Sequence, residues 1–393
     1  MASARSTRLG VAALLLVVPT VSATVNEPSP PQFFLSSFGA DRAQLEEVAR
    51  RYVAVGWHNH PDLRAAIPVL KRYNPDLKAF MYRELFCVLR QETLLEESVG
   101  RYDWINANHP EWFQRDTAGR RVEVPDYPGR WMMDVGNEEW QAFWIHETLQ
   151  DVIEGGWDGV FADDALTTIT AHHLPPLAGY PDDASLQQAM SAFLARAHAA
   201  FQQAGKFLVA NVSGSDHYPG LWERWLQVTD GLMEEHFAGE GWTWGPDVAT
   251  QQLAAMRSAA EHDKWMLCLT YGSWGDKERM ESSLAAYLIG AGPRTYWSYR
   301  PATQTETVDW PAAWSVQTGR PLGPATADGS LWQRRFEQAL VLVNAGAEPR
   351  RAQTPCGWVE LGPRQGRVIQ ADCTAFGTSP PGRFMRIEAD RRQ

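Results

Sequence analysis

Basic residues, cysteines and long apolar stretches are all scarce in this sequence, and each scarcity excludes a class of protein. The 36 Lys and Arg residues are outnumbered by 47 Asp and Glu residues, which gives a net charge of −11. Nucleic-acid binding requires a basic face, so we expect no nucleic-acid partner. Beyond the N-terminal segment, no stretch has the roughly 20 apolar residues that span a bilayer. We therefore expect no membrane span in the mature chain.

Only four cysteines are present, and no Cys-x-x-Cys or His-rich spacing indicates a metal site. We accordingly expect no metal and no other cofactor. Cys356 and Cys373 lie in a β-rich C-terminal region and are candidates for a disulfide bond in an oxidising compartment, although the sequence leaves this pairing open. Cys87, just beyond an apolar strand, and Cys268, inside another, are interpreted as small buried hydrophobic residues.

The N-terminus has the pattern of a secretory signal peptide. Arg5 and Arg8 precede an apolar run from Leu9 to Val18, and Val21-Ser22-Ala23 offers small residues for cleavage. A membrane-spanning helix is the alternative, but this run falls short of the required length of about 20 residues and is followed by a proline. We therefore predict that residues 1–23 are a signal peptide and that the protein is secreted or periplasmic.

Short apolar runs alternate with longer amphipathic stretches, which is the pattern of repeated βα units around a parallel sheet. Eight such runs predict an α/β fold, a closed (β/α)8 TIM barrel, over residues 24–310. The predicted strands are Phe33–Phe38, Tyr52–Trp57, Leu77–Arg83, Gly159–Asp163, Lys206–Asn211, Gly231–Glu235, Trp265–Tyr271 and Thr295–Tyr299. The predicted helices are Asp41–Arg51, Pro61–Tyr73, Glu138–Glu154, Ala184–Ala204, Thr250–His262 and Met280–Gly290.

Two parts of the chain depart from this alternation. Residues 86–135 form an aromatic and charged excursion after the third strand, which we interpret as a lid or subsite-forming loop and not as a further core element. Residues 311–378 are predicted to form a small C-terminal antiparallel β domain, and residues 379–393 a flexible tail. The predicted strands of the small domain are Trp332–Asn344, Gly357–Leu361 and Arg367–Asp372. The oligomeric state is not indicated.

Two predicted barrel strands end in pairs of carboxylates. One ends in Asp163 and Asp164, and the other ends in Glu234 and Glu235, followed by His236. Barrel active sites form at the C-terminal ends of the strands. Cleavage of a glycosidic bond needs one carboxyl to protonate the departing oxygen and another to attack the anomeric carbon or activate water. Capping of the next helix is the alternative for the two Asp residues, and it is compatible with a site role for one of them.

Other polar and aromatic residues near the strand ends are candidates for binding a sugar, with ordinary structural roles as the alternative. They are Trp57, His58, Tyr82, Arg83, Asn211, His236, Tyr271, Trp274, Tyr299 and Arg300, with Trp242 and Trp244 as further aromatic platforms. Most of the 18 Trp residues are expected in the core. Asp134 is a further possible site residue, but we prefer its interpretation as a cap or brace for the helix that begins near Asn137. The glycosylation sequon at Asn211 is discounted, because a strand end inside a barrel is a poor acceptor surface.

Several segments carry a resemblance to a known family when they are taken in order. They are Asn108–Asp116, Met133–Trp140, Gly156–Asp164, Asp230–Phe237 and Arg335–Asn344. On these segments the sequence resembles the hypothetical glycosyl hydrolase-like family 15 proteins and, more distantly, the endo-α-1,4-polygalactosaminidase barrels of glycoside hydrolase family 114. The likeness extends from the first strand into the small domain.

The resemblance implies that Asp163 and Glu235 are the catalytic pair, with Asp164 and Glu234 in support. The sequence departs from the family pattern at Glu234 and His236, where an apolar and a small residue are usual, so the choice between Glu234 and Glu235 stays open. By analogy with barrels that carry acids on the fourth and sixth strands, Asp163 is expected to be the nucleophile or base and Glu235 the acid.

The function expected from these observations is that of a secreted glycoside hydrolase that cleaves O-glycosidic bonds of a poly- or oligosaccharide. A carbohydrate-binding barrel without catalytic activity is one alternative. A polysaccharide-active enzyme of another class is the other. A lyase would favour a Lys, His or Tyr base, and a deacetylase an Asp/His metal set; neither pattern is assembled here. The sugar, the linkage, the stereochemical outcome and endo or exo action are not indicated.

Overall fold

A computed structural model describes residues 32–36, 44–90, 98–212, 218, 220–239, 246–302, 312–374 and 376. The predicted signal peptide, the predicted tail, the predicted domain boundary at residue 310, and Trp242 and Trp244 lie outside these residues. Among the described helices, none combines the length and the apolar character needed to cross a membrane.

A closed barrel of eight parallel strands organises the molecule. The strands as far as residue 300 are β1 (Phe34–Ser36), β2 (Ala54–Trp57), β3 (Lys78–Glu84), β4 (Cys87–Leu89), β5 (Arg130–Met132), β6 (Gly159–Asp163), β7 (Phe207–Asn211), β8 (Gly231–Glu234), β9 (Trp265–Tyr271) and β10 (Thr295–Arg300). All except β4 and β5 form one parallel sheet in the order β1-β2-β3-β6-β7-β8-β9-β10. A parallel bridge between Phe33 and Trp297 closes the sheet. The prediction of eight barrel strands is confirmed.

Helices follow most of the barrel strands and cover the outside of the sheet. They are α1 (Leu45–Arg51), α2 (Pro61–Tyr73), α3 (Tyr102–Asn108), α4 (Glu138–Glu154), α5 (Asp183–Gln203), α6 (Leu221–Leu226), α7 (Pro246–Glu261) and α8 (Lys277–Gly290). The predicted bounds of α2 and α4 are confirmed, because proline at N1 and the Asn137 side chain cap define their starts. Helices α3 and α6, each of which is under eight residues long, are not predicted from the sequence.

Side chains along each barrel strand alternate between two cores. Phe80, Trp265 and Leu267 belong to a cluster inside the barrel, whereas Met81 and Trp297 belong to the larger cluster between the strands and the helices. Because successive strand residues point to opposite faces, this alternation also decides which residues at the strand ends face the barrel mouth.

An Asp-Gly pair anchors each of the two strands that end in acids. A Cβ atom on Gly159 would lie 2.3 Å from the Phe207 carbonyl oxygen, and a Cβ atom on Gly231 would lie 2.3 Å from the Cβ of Trp265, so neither position has room for a side chain. The preceding Asp230 accepts a hydrogen bond from the Leu208 amide at 2.8 Å. These contacts fix the N-terminal ends of β6 and β8, and therefore the position along the barrel axis of the acids at their C-terminal ends.

The excursion at residues 86–135 is a folded subdomain, which corrects its interpretation as a loop outside the core. Strands β4 and β5 pair in an antiparallel manner, and Tyr102 of α3 packs against Trp131 of β5. Phe86, Ile105 and Trp112 are buried and join the main hydrophobic cluster. Aromatic contacts such as that between Trp112 and Trp140 fix the subdomain to α4.

The C-terminal region is antiparallel, as predicted, but it contains more strands. They are β11 (Thr326–Asp328), β12 (Leu331–Arg335), β13 (Ala339–Asn344), β14 (Arg350–Thr354), β15 (Gly357–Leu361) and β16 (Gly366–Gln370). The predicted strand Trp332–Asn344 is divided, because Phe336 to Gln338 form the turn between β12 and β13. A disulfide joins Cys356 to Cys373, whereas Cys87 and Cys268 are buried free thiols, as predicted.

Candidate active site

In the described part of the structure, polar side chains from six barrel strands face the mouth of the barrel at the C-terminal ends of the strands. They are Tyr82, Asp163, Asn211, Glu235, Tyr271 and Arg300. Each continues the inward-facing alternation of its strand, and Glu235 directly follows β8. The strands therefore bring together residues that are far apart in the sequence.

Asp163 and Glu235 are joined by one amide group. The side-chain nitrogen of Asn211 donates to Asp163 Oδ1 at 2.7 Å and to Glu235 Oε2 at 2.8 Å. Each carboxylate also accepts a tyrosine hydroxyl, from Tyr82 at 2.5 Å to Asp163 Oδ2 and from Tyr271 at 2.7 Å to Glu235 Oε1. The two acids thus have matched donors and a fixed separation.

A third carboxyl group, that of Glu84, lies behind Asp163 and is fully buried. The Tyr82 hydroxyl is within hydrogen-bond distance of both acids, 2.5 Å from Asp163 Oδ2 and 3.0 Å from Glu84 Oε1. A hydroxyl carries one proton, so the second contact requires a proton on a carboxyl. Burial, together with the charges of Asp164 and Asp163, raises the pKa of Glu84 well above its ordinary value, against the opposing effect of Arg130.

Acidic surroundings also change the ionisation of Asp163. Burial and the nearby charges of Asp164 and Glu235 raise the pKa of Asp163 to about 7, despite the hydrogen bonds from Tyr82 and Asn211. At neutral pH a substantial fraction of this carboxyl is therefore protonated. Such a shift is typical of groups that exchange protons during catalysis.

Asp164 does not cap a helix, which overturns that alternative. Helix α5 begins at Asp183 and is capped by Asp182. The backbone of Asp164 is left-handed, with φ at 56°, and its carboxylate lies 3.2 Å from His172 Nε2. Burial lowers the pKa of His172, but the hydrogen bond and charge of Asp164 outweigh it, and the pKa is raised. A strained non-glycine residue beside reactive groups is common at functional sites.

The excursion supplies two site residues that the sequence analysis missed. Arg130, on β5, forms an ion pair with Glu84, and its guanidinium lies 4.8 Å from the centre of the Tyr127 ring. Tyr127 is 43% exposed and meets the ring of His172 edge-on at 5.3 Å. Arg130 and Tyr127 are far in sequence from the ends of the barrel strands. The aromatic and charged character of the excursion is therefore the only feature of the sequence that indicates a site role for them.

The Glu235 side of the mouth carries positive charge. Arg300 donates to the Tyr271 hydroxyl at 3.3 Å, and its guanidinium lies 5.1 Å from the centre of the Tyr271 ring. The His236 ring packs 5.6 Å from the same tyrosine ring. The two carboxylates therefore share equivalent donors but have different electrostatic neighbours.

Three predicted site residues face away from the mouth, which corrects their assignment. Arg83 is 2% exposed and binds Asp151 of α4 on the outside of the barrel. Glu234 is 1% exposed on the outward side of β8. The Tyr299 hydroxyl donates to the carbonyl of Ser273 at 3.0 Å, beneath the loop after β9. Each is adjacent in sequence to an inward-facing residue, so strand alternation excludes it.

The other residues predicted to bind a sugar lie below the mouth, against the core or outside the described part of the structure. His58 is buried, with its ring 4.7 Å from that of Tyr82 below the mouth. Trp274 packs against Tyr299 and Trp314. The side chain of Trp57 lies outside the described part of the structure. Asn211 is 3% exposed, so its sequon is inaccessible in the folded protein.

Asp134 acts as a brace, as interpreted from the sequence. Its carboxylate accepts hydrogen bonds from the Gly136 amide at 3.0 Å and from the Tyr180 hydroxyl. The cap of α4 itself is Asn137.

Two clusters among the described residues have oxygen or nitrogen atoms close enough together to hold a cation. One is Glu84, Asp163 and Asp164, and the other is the exposed group His109, Glu111 and Glu139. In the first, the Arg130 guanidinium already balances Glu84. In the second, the carboxylates already contact His109 and the Trp112 indole nitrogen. Both clusters are accounted for by these protein contacts.

The acids open onto a cleft of about 590 Å³ between the barrel mouth, the excursion and the segment that carries His172. This size suits a small number of sugar rings. The fold and the site together define a (β/α)8 barrel with a bridged carboxylate pair at its C-terminal rim.

The sequence matches the profile of the family described as "Hypothetical glycosyl hydrolase family 15" over residues 71–340. The chain belongs to this glycosyl hydrolase-like family. The matched region includes both Asp163 and Glu235. No match was found among curated proteins.

Solved structures with a similar fold include several carbohydrate-active enzymes. Aspergillus fumigatus Ega3, in complex with galactosamine, has a TM-score of 0.44 and 12% identity, covering 70% of this chain and 93% of that chain. The noncanonic maltogenic α-amylase AmyB from Thermotoga neapolitana has a TM-score of 0.43 and 11% identity, covering 86% and 96%. The cycloalternan-degrading enzyme from Trueperella pyogenes has a TM-score of 0.49 and 12% identity, covering 88% and 63%.

Proposed function

We propose that this protein is an exported glycoside hydrolase in which Asp163 and Glu235 cleave the O-glycosidic bonds of a poly- or oligosaccharide. The observation that carries the proposal is the Asn211 bridge, which holds two carboxyl groups from different strands at one point of an open cleft. Membership of a glycosyl hydrolase-like family supports the same chemistry. Export is proposed from the N-terminal sequence pattern alone.

The separation of the two acids favours retention of the anomeric configuration. Since one nitrogen contacts both groups, Asp163 Oδ1 and Glu235 Oε2 are at most about 5.5 Å apart, whereas inverting enzymes need about 6.5–9.5 Å to admit a water molecule. In a retaining reaction, a carboxylate attacks the anomeric carbon as the other group protonates the leaving oxygen. Water, deprotonated by the second group, then releases the sugar and regenerates the carboxylate.

We assign attack to Asp163 and proton transfer to Glu235, following the analogy with barrels that carry acids on the fourth and sixth strands. With a pKa raised to about 7, a fraction of Asp163 is ionised at neutral pH and is able to attack. Positive charge that develops at the anomeric carbon in the transition state favours the ionised carboxylate beside it. The carboxylates of Asp163 and of the neighbouring Asp164 therefore stabilise the cationic transition state.

The direct test is the release of reducing sugar from a panel of bacterial and plant polysaccharides. We expect release by the wild type and its loss in folded Asp163→Asn and Glu235→Gln variants. If the wild type binds glycans in this panel but releases none, and both variants bind equally well, the protein is a carbohydrate-binding barrel and the hydrolase proposal fails.

A further inference from the structure

Trp358 has an unusual position that the active site does not explain. It lies on β15 in the C-terminal region and is 65% exposed, which among the large hydrophobic residues described is matched only by Leu322. Single exposed apolar residues are common on protein surfaces. The exposure therefore needs support from the surroundings of the ring before it indicates a binding site.

Those surroundings are polar and planar. In the β14–β15 hairpin, Trp358 lies directly opposite Gln353, and the next outward pair is Arg351 opposite Glu360. All four are exposed, and the Arg351 guanidinium is 5.3 Å from the centre of the indole. We call these four residues the hairpin face.

The hairpin face is held rigidly. On the opposite side of the hairpin, Ala352 and Leu361 pack into a separate hydrophobic cluster with β12 and β13. The turn between the strands carries Cys356, which is joined to Cys373 beyond β16. Because a binding surface that is already ordered loses little conformational entropy when a ligand binds, this anchoring suits a platform for a flexible polymer.

We propose that the hairpin face is a second carbohydrate-binding site, which takes a strand of the polysaccharide that the barrel cleaves. The indole offers an apolar surface for the C–H face of a sugar ring, and the amide, carboxylate and guanidinium groups beside it can donate to or accept from ring hydroxyls. The identification of the bound polymer as the substrate rests on the proposed function. The existence of this second binding site does not depend on the proposed function.

A second copy of this chain fits the hairpin face poorly. Stable protein interfaces bury on the order of 1,200–2,000 Å² and have cores depleted of charged residues. Here a single indole is bracketed by Arg351 and Glu360. The apolar area is that of one ring, which matches a sugar and not a protein partner.

The test compares retention on insoluble polysaccharides in the Asp163→Asn background, where the polymer stays intact. Trp358→Ala is the test variant. Leu322→Ala is the matched control, because both side chains are 65% exposed. We expect Trp358→Ala to weaken retention about tenfold and Leu322→Ala to leave it unchanged. Trp358→Tyr, which keeps an aromatic ring, should recover most of the binding.

Activity provides a further readout in the Asp163-containing protein. Trp358→Ala should cleave a short soluble oligosaccharide at the wild-type rate, because the change acts only on polymer capture. The proposal is overturned if Trp358→Ala is retained as well as Leu322→Ala, if the wild type is retained on no polymer, or if sedimentation shows that Trp358→Ala dissociates a dimer. Retention that depends on Trp358 without any hydrolysis would leave the hairpin face standing and reject the proposed function.

Discussion

The two sides of the barrel mouth give their carboxylates the same hydrogen bonds but different electrostatic surroundings. Asp163 and Glu235 each accept one N–H from Asn211 and one tyrosine hydroxyl. On the Asp163 side the further neighbours are Asp164 and Glu84, whereas on the Glu235 side Arg300 lies against Tyr271. Matched donors fix the geometry, and burial with the nearby acidic groups raises the pKa of Asp163.

The largest expected effect comes from removing the proton donor on the Glu235 side. Glu235→Gln should lower kcat/KM by about 10²–10⁴-fold, because an amide cannot transfer the proton that the leaving group requires. Glu234→Gln is the matched control and should retain most activity, since its side chain faces outward. Steady-state kinetics on the substrate found in the panel would measure both. Equal losses in the two variants would contradict the assignment by strand alternation.

The next largest effect is expected from removing the Asn211 amide, which bridges the two carboxylates. Asn211→Leu keeps the approximate size of the side chain but removes both N–H donors, so the two carboxylates lose their common partner and repel each other. We expect kcat/KM to fall by roughly 10²-fold. Asn211→Gln, which keeps the amide, should recover part of that loss. If Asn211→Leu is as active as the wild type, the bridge has no catalytic role.

The charge difference predicts a pH dependence. In the proposed mechanism Asp163 must be ionised to attack, so kcat/KM should fall as the pH decreases through about 7, the raised pKa of its carboxyl. Asp164→Asn removes a like charge, which lowers that pKa and moves the acidic limb of the pH profile of kcat/KM to lower pH. Asp126→Asn, at the exposed contact with His173, should leave the limb in place. A rise in kcat/KM as the pH decreases through 7 would assign the proton donor to Asp163 instead.

The smallest expected effect concerns the wall of the cleft. Tyr127→Ala should reduce kcat/KM about tenfold through a higher KM, because it removes an aromatic surface beside Asp164 and His172. Trp104→Ala is a suitable control, since both rings are 43% exposed but Trp104 packs with Phe143 away from the cleft. A loss in kcat alone would indicate that Tyr127 orders the site without contacting substrate.

Much of the barrel and of the site can be predicted from the sequence. The site residues that were predicted wrongly have a common cause. The apolar runs and the acids at the ends of β6 and β8 identify the architecture and the level of the site. Choosing between Glu234 and Glu235, or between Tyr82 and Arg83, requires the inward or outward phase of each strand. That phase is set by contacts such as those of Met233 and Phe80 inside the barrel, and a run that is apolar on both faces does not show it.

The contribution of the excursion was hidden for a different reason. Arg130 reaches Glu84 only because β5 pairs with β4, the strand that follows the third barrel strand in the chain. No segment of regular hydrophobic periodicity contains both Arg130 and Glu84. The long-range packing of Phe86 and Trp112 creates this contact, and sequence spacing contains no measure of it.

The most direct test of the bridged pair is the anomeric configuration of the first product, followed by proton NMR immediately after cleavage begins. Two carboxyl groups whose bridged oxygens are at most about 5.5 Å apart should give a product with the configuration of the substrate. That result would support attack by one acid while the other transfers the proton. A product of inverted configuration would contradict the account, because a water molecule would then have to fit between groups that the structure holds too close together.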